Sequence, residues 1–271
     1  MGVLQMQRVK MDKFVIKKTL SKNKRTLVDE SPGCSDAGGP TETLAEKKCR
    51  TENADSWLEQ TCTWKRIRAE NLSCDYTSLF NKAEANEILQ RLEKDVVYFT
   101  GDLTKVQVYG KWHSIPRKQV TYGDEGLSYT FSGITLSPKP WIPVLTVIRE
   151  RVQLATGHSY NFVLINRYKD GNDHIGDHRD DEKELVPQSP IASVSFGACR
   201  DFIFRHRDSR SINSVRRIEP VKLALEHGSL LMMNFPTNVY WYHSLPVRRK
   251  VLAPRVNLTF RKIKPQKPEM T

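Results

Sequence analysis

Apolar positions in this chain recur at helical spacing in two places and alternate with polar ones almost everywhere else. Ala85, Ile88, Leu89, Leu92 and Val96 lie three or four apart, which puts them on one stripe of a helix. Asn81 followed by Glu84 makes a capping-box pattern, so the spacing predicts a helix over 82–97. A second helix is predicted from about Trp141 to Ala155, with Val144, Leu145, Ile148 and Val152 inward and Gly157 as its stop. Elsewhere the period is two. Val106 and Val108 alternate before Gly110, Tyr129 and Phe131 before Gly133, and Phe162, Leu164, Asn166 and Tyr168 share one face of a strong strand. Further strands are predicted over 191–196, 201–206, 216–223, 229–234, 239–244 and 254–261. Short strands at this density, parted by Gly, Pro and Asp turns, imply an α+β, mainly β architecture. An antiparallel sandwich or jelly roll fits best, with both helices packed on the outside of one sheet.

Residues 1–63 carry no such periodicity. Ser31-Pro32-Gly33 and Gly38-Gly39-Pro40 break any regular element, and the stretch reads as a disordered tail. Order is expected from about Trp64, a folded domain over 64–262, and a flexible tail over 263–271. No internal repeat is present, no apolar run approaches the ~20 residues of a membrane span, and no apolar leader is expected. The five cysteines, at 34, 49, 62, 74 and 199, are irregularly spaced. Free thiols in a reducing compartment are expected, with Cys199 partly buried.

Charge refines this picture. The net charge is +12, and residues 1–63 hold 11 Lys and Arg against 9 Asp and Glu, leaving 32 against 22 on the remainder. A surplus on the folded body points to a surface that meets a polyanion, with nucleic acid the leading candidate. A basic protein without such a partner is the plainer alternative.

The chemistry concentrates after the strand ending at Tyr168. His178 and Asp180 are two apart, so in extended chain both side chains point to one side. His243, on a late predicted strand, can complete a set of two histidines and one carboxylate. That set occupies one face of an octahedron and leaves positions for a chelating cosubstrate and O₂, the arrangement of non-haem Fe(II) oxygenases. Alone, His-x-Asp is common, and a loop histidine bonded to a carboxylate explains it equally well. His174 and His178 are four apart, but Gly176 and its polar neighbours argue against a helical zinc pair. The segment 254–261 adds a second signal. Arg255, Asn257, Thr259 and Arg261 share one strand face, and Val256, Leu258 and Phe260 the other. Two guanidiniums facing one cavity repel unless an anion lies between them, and a dicarboxylate suits them. The alternative is an edge strand with a solvated charged face. Asn166 and Tyr168 could bond the same dicarboxylate.

His-x-Asp, a distant His and Arg255-Val-Asn-Leu-Thr-Phe-Arg261 together resemble the AlkB-type dioxygenases, which reverse alkylation damage on nucleobases. Tyr122-Gly-Asp, Tyr129-Thr-Phe-Ser-Gly, Ser137-Pro-Lys-Pro-Trp-Ile-Pro, Asn166-Arg-Tyr-Lys-Asp-Gly and Ser193-Val-Ser-Phe-Gly are similar to a nuclear branch of that family acting on duplex DNA. The likeness covers about Trp64 to Lys262. It implies a double-stranded β-helix, one Fe(II) per chain, and 2-oxoglutarate and O₂ as cosubstrates. It also implies demethylation of 1-methyladenine and 3-methylcytosine, with release of formaldehyde, succinate and CO₂. By the same resemblance, His178, Asp180 and His243 are the iron ligands, and Arg255 and Arg261 the cosubstrate arginines, Arg255 on or near the C5 carboxylate side. Asn166, Tyr168 and Thr259 add cosubstrate contacts, and Tyr129, Phe131, Ser132 and Asp181 surround the damaged base.

The damaged positions lie on the Watson–Crick edge, so such an enzyme must flip the base and fill the gap. Tyr109-Gly110-Lys111 ends a strand at a tight turn within the expected recognition hairpins of 100–135; the resemblance makes it the intercalating finger, where phenylalanine is usual and Tyr109 is a departure. Arg248-Arg249-Lys250, with Arg117, is expected to grip phosphates at the rim; a solvated charge run is the alternative. Lys13-Phe14-Val15-Ile16-Lys17 resembles a docking motif for the sliding clamp PCNA, and Lys17-Lys18 and the basic run at 22–25 could serve nuclear import. A monomer in the nucleus with no membrane contact is expected. Two other activities stay open: an RNA demethylase of the same type acting on single strands, and a nucleic-acid-binding module with a vestigial metal site.

Overall fold

A computed structural model describes residues 63–108, 111–131, 134–210 and 216–265. The first elements are a hairpin, β1 (Lys65–Ala69) and β2 (Leu72–Ser78), turned at Asn71 with φ 56°, a left-handed conformation that asparagine tolerates. Helix α1 (Lys82–Asp95) follows. Asn81 Oδ1 accepts from the N–H groups of Ala83 and Glu84, and Glu84 Oε2 accepts from Asn81 N at 2.8 Å, which completes the capping box.

After a 3₁₀ turn (Gly101–Thr104) come the hairpin β3 (Lys105–Val108) and β4 (Lys111–Ser114), strand β5 (Lys118–Gly123), and the hairpin β6 (Tyr129–Phe131) and β7 (Ile134–Leu136). Helix α2 (Pro143–Thr156) has Pro143 in its first turn and stops at Gly157, φ 70°.

Eight strands follow: β8 (Phe162–Tyr168), β9 (Ile175–His178), β10 (Ile191–Gly197), β11 (Arg200–His206), β12 (Val221–Leu225), β13 (Ser229–Met233), β14 (Trp241–Leu245) and β15 (Arg255–Arg261). A second 3₁₀ turn (Arg207–Ser209) follows β11, and one helical turn, α3 (Thr237–Tyr240), precedes β14. The strands form a seven-stranded sheet, β1-β2-β13-β10-β15-β8-β5, and a four-stranded sheet, β12-β11-β14-β9. From β8 onward the chain passes back and forth between the two sheets with antiparallel pairing, the topology of a jelly roll.

The core divides by face. Val256, Leu258 and Phe260 of β15, with Val163, Ile165 and Val194, pack under Ala85, Ile88 and Leu92 of α1 and Leu145, Ile148 and Val152 of α2. Both helices therefore cover the outer face of the larger sheet, as the periodicity predicts. A second cluster, including Tyr168, Ile191, Phe202, Phe204, Leu231 and Trp241, closes the space between the sheets at one end. Each such side chain contributes roughly 1.5–3 kcal/mol by leaving water. The polar face of β15 is left to line the space between the sheets.

Several expectations need correction. The strand expected over 216–223 begins only at Val221, and the one expected over 239–244 begins at Trp241 after the α3 turn. Hairpins expected near 100–135 appear as β3–β4 and β6–β7, whereas strands β1, β2, β5 and β9 were not anticipated. Cys199 is exposed rather than partly buried, because it sits in the β10–β11 turn; among the described residues Cys74 is the buried thiol, pushed up to about 12 by burial. The flexible tail does not begin at 263. Ile263 is buried in a small cluster with Leu127, Tyr129, Phe162 and Leu164, and Asn161 bonds both its N–H and its carbonyl.

Candidate active site

His178 and His243 are direct Cα partners across β9 and β14, so strand pairing brings the two rings to 4.3 Å between centroids. Asp180 follows two residues after His178. Its Oδ1 lies 3.8 Å from His178 Nε2 and 3.9 Å from His243 Nε2. One ligand atom from each of the three residues lies within 4.8 Å of the others.

The donor set suits a divalent iron. Gly176 carbonyl oxygen takes His178 Nδ1 at 2.9 Å, which leaves Nε2 for a metal. His243 packs against Phe202, and burial together with the nearby His178 pushes it down to about 3, so it is a neutral imidazole with a lone pair to offer. Burial alone would raise Asp180, but Arg261, His243 and His178 hold it down at about 2, so it is a carboxylate at neutral pH. His243 Nδ1 is buried without a partner, a polar atom for which a bound group or water must account.

Arg261 is the hinge of the charge network. Its Nη2 lies 2.8 Å from Asp180 Oδ1, and its Nη1 donates to Tyr129 Oη at 2.6 Å. Tyr129 Oη in turn bonds Glu182, and Glu182 Oε2 is buried without a partner. Tyr129 is fully buried, and its pKa is raised by that burial. Neither Asn257 nor Glu182 was named as a site residue in advance. Asn257 could have been, because it lies on the polar face of β15; Glu182 follows Asp181 in a loop where the sequence gives no register.

Arg255 lies on the same face and differs in its company. It donates to Ser195 Oγ at 2.9 Å, stands 5.4 Å from the Tyr168 ring, and meets no carboxylate among the described residues. Burial lowers it to about 10, and its Nε has no partner. The two arginines of this face therefore do not stand as a bare repelling pair, as their alternation alone implied. Arg261 already has Asp180, so of these two arginines Arg255 is the one without a carboxylate partner among the described residues. Around it, Asn166 Oδ1 accepts from Arg117 Nε at 2.8 Å and from Gln119 Nε2 at 2.9 Å, which leaves the Asn166 amide N–H groups as its available donors. Thr259 Oγ1 donates to Asn257 Oδ1 at 3.3 Å, and Asn257 Nδ2 to Ser193 Oγ at 2.9 Å. This polar interior, with Arg255 at one end, is a built receptor for an anion.

The residues expected at the nucleic acid fare differently. Asp181 is exposed and paired with Arg179 at 3.0 Å. Lys111 is exposed on β4. Arg117, expected on the DNA backbone, instead turns inward to Asn166 and the His174 carbonyl, because Asn166 offers a buried acceptor. Arg248 is bound to Asp201 at 2.6 Å, while Arg249 and Lys250 are exposed. Phe131 is placed as backbone in β6; Tyr109, Gly110, Ser132 and the segment Lys13, Phe14, Val15, Ile16 and Lys17 lie outside the described residues. No described helix is long and apolar enough to cross a membrane.

Comparison with known proteins places this geometry. The DNA oxidative demethylase ALKBH2 of Bos taurus is 64% identical over 257 residues, covering 94% of this chain and 92% of that protein. The human protein of the same name is 61% identical and covers 93% of this chain and 98% of that one. A solved structure described as that of OsALKBH1 superimposes with a TM-score of 0.52 at 17% identity over 72% of this chain and 99% of that one, a likeness of fold. The family model for the 2OG-Fe(II) oxygenase superfamily matches residues 75–261, a span that includes all three clustered ligands, Arg255 and Arg261. The chain belongs to the 2OG-Fe(II) oxygenase superfamily.

Proposed function

We propose that this protein is a DNA-repair dioxygenase that demethylates 1-methyladenine and 3-methylcytosine in double-stranded DNA. The observation that carries the reading is the conjunction of a His178–Asp180–His243 cluster with near full-length identity to proteins named DNA oxidative demethylase. Fe(II), 2-oxoglutarate and O₂ supply, when bound, the oxidation of the N-methyl group, which leaves as formaldehyde while the cosubstrate becomes succinate and CO₂.

The residues present divide the work. His178, Asp180 and His243 would hold the metal. Arg255, with Asn166, Tyr168 and Thr259, would orient the 2-oxoglutarate carboxylates, and Arg255 would take the carboxylate remote from the metal because, of the two arginines on that face of β15, it is the one with no carboxylate bonded to it. Arg261 keeps Asp180 ionised and ties it to Tyr129. Tyr129, Phe131, Ser132 and Asp181 would enclose the base. The base must leave the stack to reach this interior, at a cost of a few kcal/mol that is lower for a lesion already unable to pair. Tyr109, Gly110 and Lys111, which follow β3 in the sequence, would fill the gap, and Arg249 and Lys250, with Arg248 beside them, would meet phosphates. Supporting a nucleic-acid substrate, the net charge of +12 lies mostly outside residues 1–63. The protein acts as a monomer in the nucleus, and Lys13, Phe14, Val15, Ile16 and Lys17 dock on the sliding clamp PCNA; the basic–aromatic–aliphatic order of that segment supports this last step.

The test is turnover on matched oligonucleotides. Methylated duplex DNA is expected to be repaired faster than single-stranded RNA carrying the same lesion, and only with 2-oxoglutarate. Faster turnover of the RNA would overturn the duplex reading.

A further inference from the structure

The three clustered ligands are not held in the same way. His178 and His243 are fixed by strand pairing, one opposite the other. Asp180 lies two residues beyond the end of β9, where no strand pairs with it. Its backbone is held by one side chain. Asn238 Oδ1 accepts from Asp180 N at 3.2 Å, and Asn238 Nδ2 donates to the Asp180 carbonyl oxygen. A carboxamide presents a donor and an acceptor side by side, so Asn238 takes the place of a missing strand residue.

Asn238 is itself anchored. It belongs to the α3 turn, whose buried Thr237 accepts from Ser73 N at 2.8 Å and donates to Ser73 O at 3.0 Å. Arg179 Nη1 donates to Val239 O at 3.0 Å, a second tie between the same turn and the ligand loop. A continuous path thus runs from β2 through Thr237 and Asn238 to Asp180.

The hold matters because the Asp180 carboxylate is drawn two ways. Arg261 sits 2.8 Å from Oδ1, against 3.8 and 3.9 Å for the histidine nitrogens. A carboxylate on a slack loop would settle against the guanidinium and leave the histidines without their third partner. We infer that Asn238 is a positioning residue for the metal site: by pairing with the Asp180 backbone it keeps the carboxylate, whose Oδ1 also bonds Arg261, within reach of both histidines. The inference rests on the proposed iron site and deepens it.

The experiment titrates the full-length metal-free protein with Co(II) alone, without cosubstrate, and reads the visible absorption of the bound ion. Asn238→Ala is expected to raise the Co(II) Kd about 10–100-fold and to alter the band shape, the range typical for loss of a group that orients a ligand. Asn81→Ala, which removes a helix cap elsewhere, is expected to lower stability and leave Co(II) binding at the wild-type value. If Asn238→Ala fails to fold, Asn238→Asp carries the same expectation, since it keeps the shape and the acceptor but loses the donor. A folded Asn238 variant with wild-type Co(II) affinity and spectrum would overturn the inference alone. Absence of Co(II) binding by the wild type would overturn the iron-site reading and this inference with it.

Discussion

Removing the charge of Arg255 should separate ligand binding from folding. Its guanidinium is buried, bonded to Ser195, and held down at about 10 by that burial, a cost of about 3 kcal/mol in the ligand-free protein. Arg255→Met keeps the length of the side chain and removes the charge. The ligand-free variant is expected to be at least as stable as the wild type, because a buried charge without a protein carboxylate is lost. Cosubstrate affinity moves the other way. Truncating one partner of a buried charge pair costs about 3–4 kcal/mol, or roughly 10²–10³-fold in Kd for 2-oxoglutarate. The two quantities are read separately, by urea unfolding of the metal-free protein and by calorimetric titration of 2-oxoglutarate into Mn(II)-loaded protein without oxygen. A variant that unfolds several kcal/mol more easily yet binds 2-oxoglutarate normally would refute the reasoning, since the charge would then serve the protein and not the cosubstrate.

The counterpart is Arg261→Met, which strands the buried Asp180 carboxylate without its guanidinium; a loss of about 3–5 kcal/mol in urea unfolding is expected, and unchanged stability would contradict the network. The pH dependence of the metal-free protein follows from His243, held at about 3 against an ordinary 6.5. The unfolded histidine takes a proton as pH falls below 6.5 and the folded one does not until about 3, so stability is lost across that window; Asp180, ordinarily 3.8 and here about 2, adds a further loss from 3.8 downward. Unfolding measured at several pH values should show the upper part of this slope flattened in His243→Leu. At Gly171 an added Cβ would lie 1.7 Å from the Arg248 carbonyl oxygen, where Gly171 and the 248–251 loop exchange two backbone hydrogen bonds of 2.7 Å. Gly171→Ala is therefore expected to displace Arg249 and Lys250, weaken duplex binding and make it less salt-dependent by fluorescence anisotropy, with Co(II) binding retained.

Where a residue's partners are local, the sequence revealed its place. Asn81 and Glu84 announce α1 because a capping box is closed within four residues, and the alternation in β15 places Arg255, Asn257, Thr259 and Arg261 on one face without knowledge of any neighbour. The His178–Asp180 pair was legible for the same reason. What that alternation could not reveal was the company each arginine keeps. Asp180 reaches Arg261 from the loop after β9, so the difference between a neutralised Arg261 and an unpaired Arg255 depends on tertiary contacts alone. Strand β9 was missed because four residues, Ile175-Gly-Asp-His178, carry no apolar alternation; its strand conformation is imposed by pairing with β14. Arg117 was misread because a guanidinium gives no sign of whether it faces solvent or a buried amide. Ile263 was assigned to a tail because one apolar residue among lysines and prolines has no periodicity, although Asn161 and the Phe162 cluster hold it in place.

The central claim is that His178, Asp180 and His243 serve an oxidative demethylation of DNA. Its most direct test follows formaldehyde, succinate and restored adenine together on a duplex carrying 1-methyladenine, supplied with Fe(II), 2-oxoglutarate and O₂. The account predicts that the three products appear in equal amounts, and that His178→Ala and Asp180→Ala abolish all three. Formaldehyde release that persists in those two variants would contradict it.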